Sequence, residues 1–317
     1  MTGVAVVGGG GQVGSALVAR LSRDPALRVW AVCRNNLTAA PLRLRGLDVR
    51  QGDVTRWRDR KTVLAGAQVI VNCALATGLP TAARLEDERV ISALCESEVE
   101  HLIHLSSVSV YGSPIAERGG SFARPRPGDA YGQRKLHLDR FVTRRARPLS
   151  GVRCTVLRLG HVYGPGQWLS EAILRLAGRE GFALPYAGSR PSNAVHVNNV
   201  AAGTRALIGG APAPPVCNLF DPTGSRWRTV FDWNTGAVGL APVPSLSAER
   251  AHSATAIWVG RRSPPSLRMA REAMAWAAKA PESFLRSSPA TRELCRQGLS
   301  LVGSRQLERR IRLRYYT

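Results

Sequence analysis

The stretch VAVVGGGGQVGSALVARL, residues 4–21, decides how the chain begins to fold. Val4 to Val7 are apolar without alternation, which reads as a strand buried on both faces. Gly8 to Gly11 break the run and permit a tight turn. From Gln12 onward, Val13, Leu17, Val18 and Leu21 recur at helical spacing. A buried strand, a glycine turn and a helix, in that order, open a β–α unit.

The alternation continues outward from there. LRVWAVCR (27–34), LDVRQGDVT (47–55), AQVIVNCAL (67–75), VEHLIHLSS (99–107) and VRCTVLRLG (152–160) read as further strands. Helical stretches include RLEDERVISALCES and the segment from Tyr131 to about Arg145. Repeated β–α units with apolar strands predict an α/β fold, a Rossmann-type doubly wound parallel sheet with helices on both faces. After Gly160 the pattern loosens. SNAVHVNNVAAGTRAL reads as a short strand entering a helix, and VCNLF (216–220) can return to the sheet. The proline-punctuated tail carries the amphipathic stretches SLRMAREAMAWAAKA and SPATRELCRQGL. The expected division is a sheet domain from residues 1–163 and 190–222, with a smaller, mostly helical lobe from 164–189 and 223–317.

The formal charge is +22, from 44 basic and 22 acidic residues. Only three of the basic residues are lysines: Lys61, Lys135 and Lys279. The arginines are spread rather than blocked, which argues against nucleic acid or a membrane surface as partner, while the field still draws in small anions. No apolar run has the length of a membrane-spanning helix, and the N-terminus reads as a strand rather than a leader. Cys33, Cys73, Cys95, Cys154, Cys217 and Cys295 are scattered without a CxxC, so free thiols in a reducing cytoplasm are expected, and no metal site.

Gly8, Gly11 and Gly14 have the spacing that lets a turn close, a backbone approach a pyrophosphate, and a helix pack on its strand. Gly9, Gly11 and Gly14 fit the alternative G-x-G-x-x-G register. Gln12 and Val13 then open a helix whose free amides and dipole favour phosphate. This predicts a dinucleotide. Residues 25–47 contain no carboxylate to accept ribose hydroxyls. Arg34 instead offers a cation to a 2′-phosphate, so NADP(H) is expected over NAD(H), with NAD(H) possible in principle. Asp53 lies where a loop can approach the adenine edge.

Together, the glycine spacing, GDVT, HLSSVSVYG, YGQRK, RLGHVYGPG and AVHVNNVAAG resemble the extended short-chain dehydrogenase/reductase superfamily, the NAD-dependent epimerase/dehydratase family. The resemblance covers about residues 3–235. It implies a catalytic Ser107, with Ser106 as the alternative, an acid–base Tyr131 and its partner Lys135. It also implies cofactor contacts at Val54, Ala74 and His161, and a homodimer formed by helices near residues 86–97 and 131–146. Chemistry agrees for the pair: an ammonium four residues after a phenol shares its helix face and can lower its pKa. Leu136, Leu138, Phe141 and Val142 suggest apolar surface to spare for a dimer. The sequence departs from the family in lacking the asparagine common in the helix near Arg89. It also has Val108 and Ser109 where 4,6-dehydratases carry an Asp-Glu pair, which argues against water elimination. His196 and His104 read as structural and His101 as strand-surface.

Three functions fit: an NAD(P)(H)-dependent oxidoreductase on a small carbonyl or secondary alcohol, a sugar-nucleotide epimerase with tightly bound NAD, or a non-enzymatic sensor or nucleic-acid-binding protein on the same fold. The intact Ser–Tyr–Lys set argues against the third.

Overall fold

A computed structural model describes residues 1–112, 124–146, 152–221 and 225–246. The stretches 266–280 and 288–299, expected to be helices, lie outside the described residues. Seven strands form one parallel sheet: β1 (Thr2–Val7), β2 (Leu27–Cys33), β3 (Val49–Gln51), β4 (Val69–Asn72), β5 (His101–Ser107), β6 (Arg153–Leu159) and β9 (Val216–Leu219). Their order is β3-β2-β1-β4-β5-β6-β9. The winding reverses between β1 and β4, and ligands of such sheets bind beyond the strand ends at this switch point.

Side chains alternate between two cores. Val4 and Val6 join one with Leu17, Val18 and Leu21 of α1 (Gln12–Leu21), Leu42 of α2 (Asn36–Arg43) and Leu207 of α7 (Val197–Ile208). Ala5 and Val7 join the other with Val63 of α3 (Trp57–Val63), Ile91 and Leu94 of α4 (Pro80–Cys95), and Leu138 and Val142 of α5 (Ala130–Ala146). Both faces are thus dry, as the unbroken apolar strands require.

Two short strands, β7 (His161–Tyr163) and β8 (Ala194–His196), pair in parallel outside the main sheet. Tyr163 and Ala194 pack with Ile173 of α6 (Trp168–Ala177) and with Val230 and Phe231 of α8 (Trp227–Gly236). The seven-stranded sheet therefore stops at Leu159 before returning at Val216; Val162 and Val195 pack against the main core, and Tyr163 and Ala194 against the α6–α8 cluster. The third strand ends at Gln51: Gly52 still donates to the Cys33 carbonyl (3.0 Å), and Asp53 turns the chain into the loop ahead of α3, as the sequence expects.

Leu138 and Val142 are buried within the chain's own core, and Leu136 packs on Tyr111. Of the four residues expected to supply dimer surface, only Phe141 keeps partial exposure. The sheet consumes the apolar face of α5, so that argument for a dimer does not hold.

Candidate active site

Three elements converge on the sheet's carboxyl edge at the switch point. The first is the glycine turn. Gly8 has φ +76°, and a Cβ there would stand 2.7 Å from the Ala74 nitrogen. A Cβ on Gly14 would meet the Gly8 carbonyl oxygen at 2.3 Å, so this glycine lets α1 lie against its strand. Gly11, the N-cap of α1, has open space apart from the Gly8 oxygen at 3.3 Å. No side chain caps this end and no acidic residue lies in its first turn. A concave turn with an open, electropositive helix end fits a pyrophosphate.

Gln12 has a second role that local sequence does not show. Its carbonyl accepts from Gln167 Nε2 (3.1 Å), and its Oε1 accepts from the Trp168 amide (3.2 Å). Gln167 is buried, so the start of α6 is fastened to the glycine turn. Val13 turns inward to the α1 core.

The second element is the row of residues following β2, β3 and β4. Arg34 is not the unopposed cation that the sequence implies: its Nη1 lies 2.6 Å from Oε1 of Glu86 on α4. Asp53 closes a turn, its Oδ1 accepting from Thr55 N (3.0 Å) and Thr55 Oγ1 (2.7 Å). The Val54 side chain is buried in the second core rather than lining the edge. Ala74 abuts Gly8 and donates its amide to Asn72 Oδ1 (3.1 Å).

The third element is the pairing of β5 with α5. Ser107 is the last residue of β5, and Tyr131 and Lys135 occupy the first turns of α5. Asp129 starts that helix by accepting from the Gly132 amide (2.6 Å). A Cβ on Gly132 would stand 2.4 Å from the Ser109 carbonyl oxygen, so the glycine beside Tyr131 lets α5 approach the end of β5. The Tyr131 ring is 45% exposed. Desolvation pushes its pKa up, and the nearby Ser107 pulls it partly back. Ser107 Oγ donates to Ser109 Oγ (3.1 Å). Ser106 points the other way, buried near Asp139 without closing a hydrogen bond.

Lys135 is buried, and its Nζ donates to the Leu105 carbonyl (3.0 Å). Burial lowers its pKa, and Asp139 and Asp87 push back toward the charged form. The expected lowering of the phenol pKa by this ammonium is not what the structure gives: desolvation governs Tyr131, and the ammonium is turned to Leu105.

Two ion pairs, one buried and one part-buried, support α5, and sequence reasoning missed both. Asp139, one turn past Lys135, accepts from Arg158 Nε (2.8 Å). Arg158 Nη1 also donates to the Tyr111 hydroxyl (2.8 Å), which donates to Asn218 Oδ1 (2.9 Å). Arg134 binds Asp87 of α4 and donates to the Ala76 carbonyl (2.8 Å), while the Ala76 amide donates to Asp87 Oδ1 (2.7 Å). The chain leaving β4 is thereby tied to the helix that carries Tyr131. His161 stands exposed, its ring 5.9 Å from that of Trp227. His196 caps α7 by accepting from the Asn198 amide (3.2 Å), a structural role. His101 is buried rather than at the surface, against Thr155 (2.9 Å).

With this geometry in view, comparison with known proteins gives a match of residues 4–213 to the model of the NAD dependent epimerase/dehydratase family. The chain belongs to that family. No curated protein matches it. Among solved structures, UDP-glucuronic acid 4-epimerase from Bacillus cereus, in complex with NAD, is similar at 18% identity and TM-score 0.61. That match covers 77% of this chain and 86% of the other. MoeE5, in complex with UDP-glucose and NAD, is similar at 25% identity and TM-score 0.55, covering 77% and 85%. dTDP-glucose 4,6-dehydratase from Bacillus anthracis, in complex with NAD, is similar at 18% identity and TM-score 0.61, covering 80% and 90%. As a family member the chain is an NAD-dependent type of enzyme on a Rossmann-like sheet. Among the described residues no helix is long and apolar enough to cross a membrane.

Proposed function

We propose that this protein is an NAD-dependent oxidoreductase acting on a secondary carbinol or carbonyl carbon of a small molecule. One observation carries the reading: Ser107 at the end of β5 and Tyr131 in the first turn of α5 meet at the sheet edge that also holds the glycine turn, with Lys135 one helical turn behind them. When bound, the nicotinamide would supply the hydride acceptor or donor. Tyr131 passes the proton to or from the substrate oxygen, and Ser107 holds that oxygen by hydrogen bonding. Lys135, one helical turn behind, is the amine of the set, its Nζ held on the Leu105 carbonyl. Gly8, Gly11, Gln12 and Gly14 would hold the pyrophosphate, and Asp53 and Ala74 would border the adenosine half. NAD, rather than the NADP expected from Arg34, is the proposed dinucleotide. The family description and the NAD in the similar structures support it, as does the pairing of Arg34 with Glu86.

A protonated phenol serves proton donation to a carbonyl. The raised pKa means that, in the nucleotide-free protein, Tyr131 stays protonated through neutral pH and ionises above its ordinary value of about 10. Ultraviolet difference titration against Tyr131→Phe checks this. A phenolate signal already present at neutral pH would contradict it.

A second reading is a sugar-nucleotide epimerase, in which the substrate carbon is oxidised and then reduced on its other face. The fastening of α6 to Gln12 favours it, since a strap over the glycine turn suits a cofactor that is not exchanged each cycle. The likeness to MoeE5, solved with UDP-glucose, supports the same substrate class. The two readings separate on one measurement. A nucleotide that survives dialysis, with interconversion of UDP-hexoses and no net redox, selects the epimerase. Free exchange of the cofactor with stoichiometric redox selects the oxidoreductase. Dehydration is not proposed, because Val108 is sealed in an apolar cluster and Ser109 is bonded to Ser107, leaving no carboxylate at those positions.

A further inference from the structure

We infer that Glu86 selects the dinucleotide: it receives the adenosine ribose hydroxyls of NAD and, by holding Arg34, excludes the 2′-phosphate of NADP. This rests on the proposed reading of the glycine turn as a dinucleotide cradle.

The placement comes from the sheet. β1 and β2 are paired in register, Val7 opposite Val32, and the amides of Gly8 and Gly9 both donate to the Val32 carbonyl. Arg34 is therefore the second residue beyond the point where β2 touches the glycine turn. A ribose joined to a pyrophosphate at the start of α1 must pass this corner, which is why a carboxylate commonly stands there to accept its hydroxyls. Here the sequence offers none between residues 25 and 47. The carboxylate arrives from elsewhere. α4 runs out from the end of β4, on the other side of β1, and brings Glu86 Oε1 to 2.6 Å from Arg34 Nη1, across 52 positions of sequence.

The pair is open to a ligand. The side chains of Arg34 and Glu86 are 55% and 28% exposed, and an ion pair so placed contributes little to folding. The neighbouring acids of α4 have other partners: Asp87 holds Arg134, and Glu88 holds Arg84 and His137. Glu86 alone reaches the corner.

The chemistry then discriminates. A carboxylate only accepts hydrogen bonds, and ribose hydroxyls can donate to it. A 2′-phosphate also only accepts, carries up to two negative charges, and would need to take Arg34 away from Glu86 while sitting beside it. The cation that would attract the phosphate is thus already neutralised, and the group that neutralises it repels the phosphate.

The test is calorimetric titration of the full chain, stripped of nucleotide, with NAD and with NADP. The unaltered protein is expected to bind NAD more tightly. Glu86→Gln should free Arg34 without changing the side chain's shape. NADP should then bind about tenfold more tightly and NAD several-fold more weakly, since a charge-assisted hydrogen bond is gained in one case and lost in the other. Adding Arg34→Ala to Glu86→Gln should remove the gain in NADP affinity. Glu88→Gln, which takes the same charge from the same helix, should leave the NAD-to-NADP ratio unchanged. The inference is overturned if Glu86→Gln leaves the ratio where it was, or if Glu88→Gln moves it equally. If neither dinucleotide binds the unaltered protein, the cradle reading falls as well. Binding of both with an unmoved ratio removes only the role of Glu86.

Discussion

Replacement of Tyr131 by phenylalanine is expected to lower kcat/KM by about 10²- to 10⁴-fold while leaving dinucleotide affinity essentially unchanged, the range typical for loss of a positioned acid or base. Only the phenolic oxygen is lost. The ring stays at the mouth of the site, and Lys135 stays anchored on the Leu105 carbonyl rather than on the phenol, so α5 does not shift. Asp129 and Gly132 still start the helix. Steady-state rates and calorimetric titration of the same preparation separate the two quantities. A variant that turns over at the unaltered rate removes Tyr131 from the chemistry. One that loses both turnover and binding points to damage in the fold instead.

Asp139→Ala is expected to destabilise the protein by about 3–5 kcal/mol, because it strands the Arg158 guanidinium in a low-dielectric interior. Asp139 is 2% and Arg158 8% exposed, and their contact bridges α5 to β6 one turn beyond Lys135. A loss of that size is a large part of the roughly 5–15 kcal/mol that holds a typical domain together. Removing both charges is a different matter. Asp139→Leu with Arg158→Met exchanges the ion pair for apolar contacts, and most of the loss should be recovered, since Tyr111 retains Asn218 as a partner. Urea denaturation of the single and double variants measures the difference. Equal destabilisation in both would mean that packing, rather than an unpaired charge, sets the cost.

How much of this could be read from the sequence follows from how local each feature is. The strands announced themselves because a sheet covered on both faces needs apolar residues at every position, as in Val69 to Val71. The same property misleads about polar residues. Alternation does not assign a side to water in such a sheet, so His101 reads as a surface position and is buried. α2 and α3 left little trace, the first because Pro41 interrupts it and the second because WRDRKTV buries only Val63. Ser107, Tyr131 and Lys135 were legible because each sits at a strand end or in a helix's first turns, where fold and motif coincide. Glu86, Gln167 and the Arg158–Asp139 pair were not. Each acquires its meaning from a partner brought by the tertiary fold, 52, 155 and 19 positions away. Leu138 and Val142 misled in the opposite sense: an apolar stripe does not say whether its own sheet or a second molecule will cover it.

The fastening of Gln12 to the start of α6 also has an optical side. The indole of Trp168 is 56% exposed while its backbone amide is bound to the glycine turn. Trp30, by contrast, is wholly enclosed, with Arg50 stacked on its ring at 3.9 Å and its Nε1 donating to the Val63 carbonyl (2.8 Å). An indole in water emits to the red of one sealed in protein, and its lifetime follows the solvent around it. Among the seven tryptophans, Trp30 therefore contributes a core emission, and Trp168 contributes a water-exposed one at the contact with Gln12. Subtracting the spectrum of a Trp168→Phe variant isolates the Trp168 component. The chain thus carries its own chromophore at the start of α6, where the main chain meets Gln12, and a ligand that disturbs that contact should change its emission.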